Sequence, residues 1–165
     1  MEHRARRSAT TLFAVASAVY LLDRVTKVWA ETALATGPRV LIPRVITLRF
    51  TTNSGGAFSF GTSAPWFFAA ATLIVGGLIV ASAFRARPAW QACALGFVLG
   101  GAFGNLTDRI ARGPRLTGEV VDFVDVHVWP VFNVADSAIV VGAVLLVWTS
   151  YRAARRAQRV AADAG

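Results

Sequence analysis

Four apolar stretches, each close to the length needed to cross a lipid bilayer, leave few folds open to this chain. They run from about Thr10 to Leu22 with an amphipathic continuation to Trp29, from Ala64 to Phe84, from Trp90 to Ile110, and from Val131 to Trp148 or a little beyond. A helix rises about 1.5 Å per residue, so roughly 20 residues cross a hydrocarbon core about 30 Å thick. Lipid offers no partner to a backbone N–H or C=O, so a spanning segment must satisfy its own hydrogen bonds as a helix. The pattern predicts an all-α integral membrane protein with four transmembrane helices, at about 10–29, 64–84, 90–110 and 131–151, in a single membrane-embedded domain over residues 1–165. The low charge content agrees, since only 16% of residues are Asp, Glu, Lys or Arg, against about 25% in soluble domains.

Charge sets the expected direction of the spans. Nine of the seventeen basic residues lie in three short flanks, at Arg4–Arg7, Arg85–Arg87 and Arg152–Arg159. The positive-inside rule puts all three flanks in the cytoplasm, and an even number of spans then keeps both termini there. The connections at about 30–63 and 111–130 face outward. The net charge of +8 could suggest nucleic acid. However, the basic residues flank apolar segments rather than forming a stripe with interleaved aromatics, which fits anionic membrane lipid and no nucleic acid. The first apolar run continues past its cleavage-like Ala16-Ser-Ala18, so it reads as a span rather than a removed leader. Cys93 is the only cysteine, which excludes an internal disulfide and a cysteine metal cluster.

With that topology, polar residues from distant stretches collect at one depth. Asp23 and Lys27 fall near the outer end of the first span, four apart on one helix face. Asn105, Asp108 and Arg109 fall near the outer end of the third, with Asn105 in reach of the other two at i+3 and i+4. Asn133 and Asp136 open the fourth. The Gly-rich turn Asn53–Ser59 lies on the same side, where its backbone can approach a ligand closely. The flanking Arg39–Ile42 and Arg44–Thr51 are rich in β-branched residues and bounded by prolines, which predicts short strands on the outer surface. Each piece also has a structural reading: an interfacial ion pair for Asp23 and Lys27, a capped helix end for Asn105–Arg109, an N-cap for Asn133. In the third span Gly96, Gly100 and Gly104 form a small-residue ridge that lets another helix come close.

Asp136 is the residue hardest to explain by structure alone. It lies about a turn inside an apolar helix with no basic residue at i±3 or i±4, and an ionisable group at such depth is usually functional. A second carboxyl beside it would share a proton with it, and such a pair can activate water and protonate a leaving amine. That is the chemistry of an intramembrane aspartyl peptidase. Spacing alone leaves Asp122, Asp125 and Asp108 open as the partner: Asp122 and Asp125 face opposite ways if residues 120–128 are extended, and share a face if they are helical. A Ser/His triad through His127 has no supporting spacing, and a metal site from Asp122, Asp125 and His127 lacks a ligand pattern. The rival reading is a small membrane transporter or proton-relay protein, which would spread ionisable groups through the membrane depth. A non-catalytic scaffold would use the glycine ridge and leave Asp136 without a role.

Five blocks together resemble the bacterial lipoprotein signal peptidases, or signal peptidase II, and in particular their actinobacterial type: Asp23-Arg-Val-Thr-Lys27, Asn53-Ser-Gly-Gly-Ala-Phe-Ser59, Gly104-Asn-Leu-Thr-Asp-Arg109, Val120-Val-Asp-Phe123 and Phe132-Asn-Val-Ala-Asp136. The resemblance implies four transmembrane helices with a small extracytoplasmic β-cradle and a short outer helix or flap. It implies Asp122 and Asp136 as the catalytic pair, with Asn53, Gly55, Asn105, Asp108, Arg109, Asn133 and Ala135 lining or supporting the site and Asp23 with Lys27 as a supporting pair. The implied reaction removes signal peptides from diacylglyceryl-modified prolipoproteins, before the lipidated cysteine. It needs neither cofactor nor metal, and it is open to globomycin-type inhibitors. The implied location is the bacterial cytoplasmic (inner) membrane, with the site near the outer face. Arg112–Gly118 is longer, and the link from Asp122 to Asp136 shorter, than the family pattern suggests.

Overall fold

A computed structural model describes residues 2–55 and 65–163. Four helices carry the chain: α1 (Glu2–Ala33), α2 (Pro65–Ser82), α3 (Ala89–Ala111) and α4 (Val134–Asp163). Three strands form one antiparallel sheet in the order β1 (Arg39–Ile42), β2 (Ile46–Asn53) and β3 (Val120–Asp125). The two strands expected from their β-branched residues are β1 and β2. The third comes from residues 120–125, whose conformation the spacing left open. The first and last helices outrun the expected spans: α1 begins at Glu2, and α4 begins at Val134 rather than Val131 and continues to Asp163. By length and composition, α1 and the 134–155 part of α4 are the two described helices apolar enough to cross a membrane, while the apolar part of α2 is shorter. The sequence-predicted start of the second span at Ala64, and the Gly56–Ser59 part of the Gly-rich turn, lie outside the described residues. Where a short outer helix was expected, the described residues hold only a single 3-10 turn at Pro114–Leu116.

The centre of the bundle is α3, and glycine is the reason. A Cβ on Gly96 would lie 2.7 Å from the Leu12 carbonyl oxygen, and one on Gly100 would lie 2.5 Å from that of Ala16. The ridge therefore faces α1, and backbone meets backbone there. On the other side of α3, Gly101 lies against the Ala135 carbonyl, and Gly142 of α4 lies against the Ala94 carbonyl. Around this seam Leu12, Ala16, Ile79, Ala83, Ala92 and Leu99 form a buried apolar cluster. The outer helix faces are apolar as well, with Leu21, Val25, Ile74, Leu78, Val144 and Val147 each at least 60% exposed. A water-facing helix would carry polar groups there.

The sheet closes one end of the bundle. Leu48, Phe123 and Val124 pack on Ala30, Leu34 and Val134. Between the pairs Leu48–Val124 and Thr51–Asp122 the ladder slips, so Arg49 and Phe50 of β2 stand opposite Phe123 alone. Such a bulge re-aims the residues beyond it, and the next β3 residue toward the site is Asp122.

Candidate functional site

The site begins with the start of α4. Asn133 stands just before the helix, and its side-chain Oδ1 accepts the Asp136 N–H at 2.9 Å. In return Asp136 Oδ2 accepts the Asn133 N–H at 3.2 Å. This reciprocal arrangement is a capping box, which satisfies two backbone donors and locks the rotamers of both side chains. The N-cap reading of Asn133 is therefore correct, and it coexists with a second task. The Asn133 amide nitrogen donates to Asp122 Oδ1 at 2.7 Å and also lies 3.1 Å from the Val121 carbonyl. One asparagine thus touches both carboxyls, which brings β3 and the first turn of α4 together.

The remaining acceptors are served by two further asparagines. Asn53, at the end of β2, donates from Nδ2 to Asp122 Oδ2 at 3.3 Å and accepts the Gly55 N–H on Oδ1 at 2.9 Å. Asn105 of α3 donates from Nδ2 to Asp136 Oδ1 at 2.8 Å. Its Oδ1 accepts from Lys27 Nζ at 2.8 Å and from Asn133 at 3.2 Å. An ammonium can only donate, so Lys27 fixes which way the Asn105 amide points, and the NH2 must face Asp136. This corrects the expected i+3 and i+4 contacts of Asn105 with Asp108 and Arg109: it turns across the bundle instead.

Beneath this layer lies a buried ion cluster. Lys27 Nζ is 2.9 Å from Asp23 Oδ2 and 2.9 Å from Asp108 Oδ2, and all three side chains are fully buried. Asp108 Oδ1 pairs with Arg24, and Asp108 Oδ2 accepts the Val121 N–H at 3.2 Å, next to Asp122. Asp23 Oδ1 accepts the Ala135 N–H at 3.0 Å, next to Asp136. Each aspartate of the cluster therefore holds the backbone of the residue preceding one of the candidate pair. Gly104 is required beside it, because a Cβ there would stand 2.4 Å from Asp23 Oδ2. Arg109 serves the rim: its Nη2 donates to the Gly55 carbonyl at 2.9 Å, and its guanidinium lies 5.5 Å from the centre of the Phe68 ring.

All eleven sequence-predicted residues fall in this one assembly. Asp125 does not. It lies three residues further along the extended strand, pairs with Arg49 at 2.6 Å and accepts the His127 N–H at 2.8 Å. Those two donors hold its carboxyl below the ordinary carboxylate range. His127 is 3.1 Å from Thr47 Oγ1, away from the pair. Burial and the Asp136 charge push the Asp122 carboxyl up to about 7, as expected for two acids sharing a poorly hydrated site. Among the described residues no group of three His, Cys, Asp or Glu is placed to hold a metal ion. Arg24 was missed. The signal was available, since a second cation inside an apolar run demands a partner.

The architecture is that of a membrane enzyme. Two solved bacterial membrane enzymes share it: one at 27% identity with a TM-score of 0.75, covering 87% of this chain and 88% of the other, the second at 29% identity with a TM-score of 0.69, covering 85% and 92%. The profile of the signal peptidase (SPase) II family matches residues 15–152. Similar relatives include the lipoprotein signal peptidases of Mycobacterium leprae (44% identity over 146 residues, 86% of this chain and 71% of that protein), Rhodococcus jostii (45% over 141 residues, 82% and 70%) and Mycobacterium avium (45% over 151 residues, 88% and 81%). The chain belongs to the signal peptidase II family and is an aspartic endopeptidase. The transporter or proton-relay reading finds no support, and no carboxylate occurs between Glu2 and Asp23, in α2, in α3 before Asp108, or in α4 between Asp136 and Asp163.

Proposed function

We propose that this enzyme removes signal peptides from diacylglyceryl-modified prolipoproteins, cutting before the lipidated cysteine with Asp122 and Asp136 as its catalytic pair. The observation that carries the assignment is the bridge through Asn133, which hydrogen-bonds both carboxyls and so ties the two acids to one residue. One carboxylate takes a proton from that water as its oxygen attacks the scissile carbonyl carbon. The other carboxyl, protonated at the start, first protonates the carbonyl oxygen. When the tetrahedral intermediate collapses, the C–N bond breaks and the nitrogen leaves with a proton from the pair. The pair shares one proton and titrates as a unit.

The surrounding side chains position this chemistry. Asn105 and Asn53 hold the two carboxyls, and Arg109 with Gly55 presents the backbone edge along which the peptide lies. Four spans, with both termini in the cytoplasm and the carboxyls near the outer face of the cytoplasmic membrane, fit the flank charges and the apolar outer faces of the helices. The lipid tails of the substrate then stay in the bilayer while the peptide crosses the end of the bundle. Globomycin-type cyclic peptides bind the same groove and block turnover.

The test is cleavage of a diacylglyceryl-modified precursor by purified protein. Asp122→Asn and Asp136→Asn each abolish cleavage while unfolding as cooperatively as the parent; full turnover in either variant rejects the pair.

A further inference from the structure

A groove of about 620 Å³ lies at the other end of the molecule, between the first turns of α1 and the link from α2 to α3. Arg4 and Arg7, one turn apart on α1, line it on one side, and Arg87 and Pro88 line it on the other, with Ser8 and Thr11 below. Ser8 is buried and ties the two walls together. Its Oγ accepts the Arg87 N–H at 3.2 Å, and its single proton is shared between the Arg87 carbonyl at 2.9 Å and the Arg4 carbonyl at 3.0 Å. The groove is therefore held in shape rather than formed by chance contact of side chains.

Its charge is unbalanced. Among the described residues, no carboxylate lines it. Glu2, the nearest acid in sequence, is taken by Arg6 at 2.7 Å. Arg4 and Arg7 have no acidic partner among the described residues. Burial and the like charge of Arg85 hold the Arg87 guanidinium below its ordinary value, and it donates to the Ser82 carbonyl. On either side of the lining segment Ala86–Ala89 in sequence stand two exposed aromatic residues, Phe84 at 68% and Trp90 at 43%. At about 1.5 Å per residue along α1, Arg4 lies some 35 Å from Lys27. That is about the thickness of a bilayer core plus its interface, so the groove sits at headgroup depth in the leaflet opposite the carboxylates.

We infer that this groove binds the phosphate headgroup of an anionic phospholipid, held by Arg4 and Arg7 with its acyl chains against Phe84 and Trp90. A basic notch between helices at a membrane surface, with apolar flanks, matches a lipid in both halves. A free phosphate uses the cations and leaves the aromatic border unused.

The full-length protein is placed in nanodiscs of phosphatidylcholine containing a minor fraction of phosphatidylglycerol, and the lipid retained after gentle detergent extraction is counted by native mass spectrometry. Phosphatidylglycerol is retained preferentially, and Arg4→Gln with Arg7→Gln weakens retention roughly tenfold to thirtyfold. The charge-matched control, Arg6→Gln with Arg159→Gln, changes it less than about twofold. Equal loss in both double variants means diffuse attraction rather than a site and overturns the inference, as does equal retention of phosphatidylcholine. Displacement of the lipid by inorganic phosphate at matched ionic strength assigns the groove to a free anion and also overturns it. Peptide cleavage in detergent is unchanged in every variant, because none of these residues lies near the carboxyl pair.

Discussion

Replacing Lys27 by methionine tests the base of the site more sharply than replacing either aspartate of the proposed pair. Methionine keeps the length and most of the volume of the side chain, so packing changes little. What disappears is one ammonium with three partners: Asn105 Oδ1 at 2.8 Å, and Asp23 Oδ2 and Asp108 Oδ2 both at 2.9 Å. Asp108 keeps Arg24 as a counter-charge. Asp23 keeps only the Ala135 N–H. Removing one partner of a buried pair leaves an uncompensated charge and costs about 3–5 kcal/mol. In a protein of this size that lowers the unfolding midpoint by roughly 6–20 °C. The same change frees the Asn105 amide to turn over, which places a carbonyl instead of an NH2 against Asp136. Lys27→Met should therefore lose both stability and turnover, while the double variant Lys27→Met with Asp23→Asn should recover much of the stability and little of the turnover. Thermal unfolding in detergent and cleavage of a lipidated precursor read the two effects separately. A Lys27→Met protein within about 1 kcal/mol of the parent and fully active would refute the argument from buried charge.

Four further outcomes follow from particular contacts. Asp122→Asn should abolish cleavage yet stabilise the protein at alkaline pH: a carboxyl raised to about 7 contributes stability that is full below its unfolded value near 4 and is lost as pH rises through 7, by at most roughly 4 kcal/mol. Unfolding midpoints of parent and variant at pH 5 and pH 8 check this, and a gap that does not widen at pH 8 contradicts it. Asp136→Asn should lower the titration of Asp122, because a neighbouring negative charge is removed, while burial keeps it above an ordinary aspartate; the carboxyl infrared band in the labelled protein follows it. Gly100→Ala forces a Cβ to 2.5 Å from the Ala16 carbonyl oxygen and should cost about 1–3 kcal/mol with loss of activity, whereas Gly77→Ala, with open space around its Cβ, should be neutral in both measurements. Arg24→Gln should reduce turnover with little change in substrate affinity, and Arg24→Lys should restore part of it, since what matters is a cation on Asp108.

How much of this was legible from residues alone depends on the range of the interaction. The helices announced themselves by apolar length, and β1 and β2 by β-branched residues between prolines. The N-cap role of Asn133 was readable because asparagine favours that position, whereas the reciprocal bond from Asp136 that completes the capping box was not read. The glycine ridge at 96, 100 and 104 was readable because a repeat of four keeps one helix face. Asp122 was harder. Its conformation depends on pairing with β2, some seventy residues away in sequence, and nothing local distinguishes a strand from a helix at 120–125. Arg24 signals only that a second cation in an apolar run needs a partner: that partner, Asp108, lies on another helix, and a pairing rule built on i+4 spacing finds Lys27 and stops there. The direction of the Asn105 side chain failed likewise, because three cross-bundle partners, Lys27, Asn133 and Asp136, outweigh its neighbours on the same helix.

The two aspartates of the ion cluster explain why a polar assembly this costly persists in an apolar protein. Asp23 and Asp108 are fully buried. They accept the N–H groups of Ala135 and Val121, the residues immediately before Asp136 and Asp122. Each thereby sets the path of the backbone one residue away from a carboxyl of the proposed pair, and Lys27 links the two settings through a single ammonium. An apolar replacement of the whole cluster could match or exceed its stability, but it would leave β3 and the start of α4 free to move independently. The separation of the two carboxyls would then vary with every breathing motion of α1 against α3. The cluster is better understood as a spacer between the two carboxyls of the proposed pair than as a source of folding energy. That distinction is measurable, since triple replacement of Asp23, Lys27 and Asp108 by apolar residues should spare stability far more than it spares turnover.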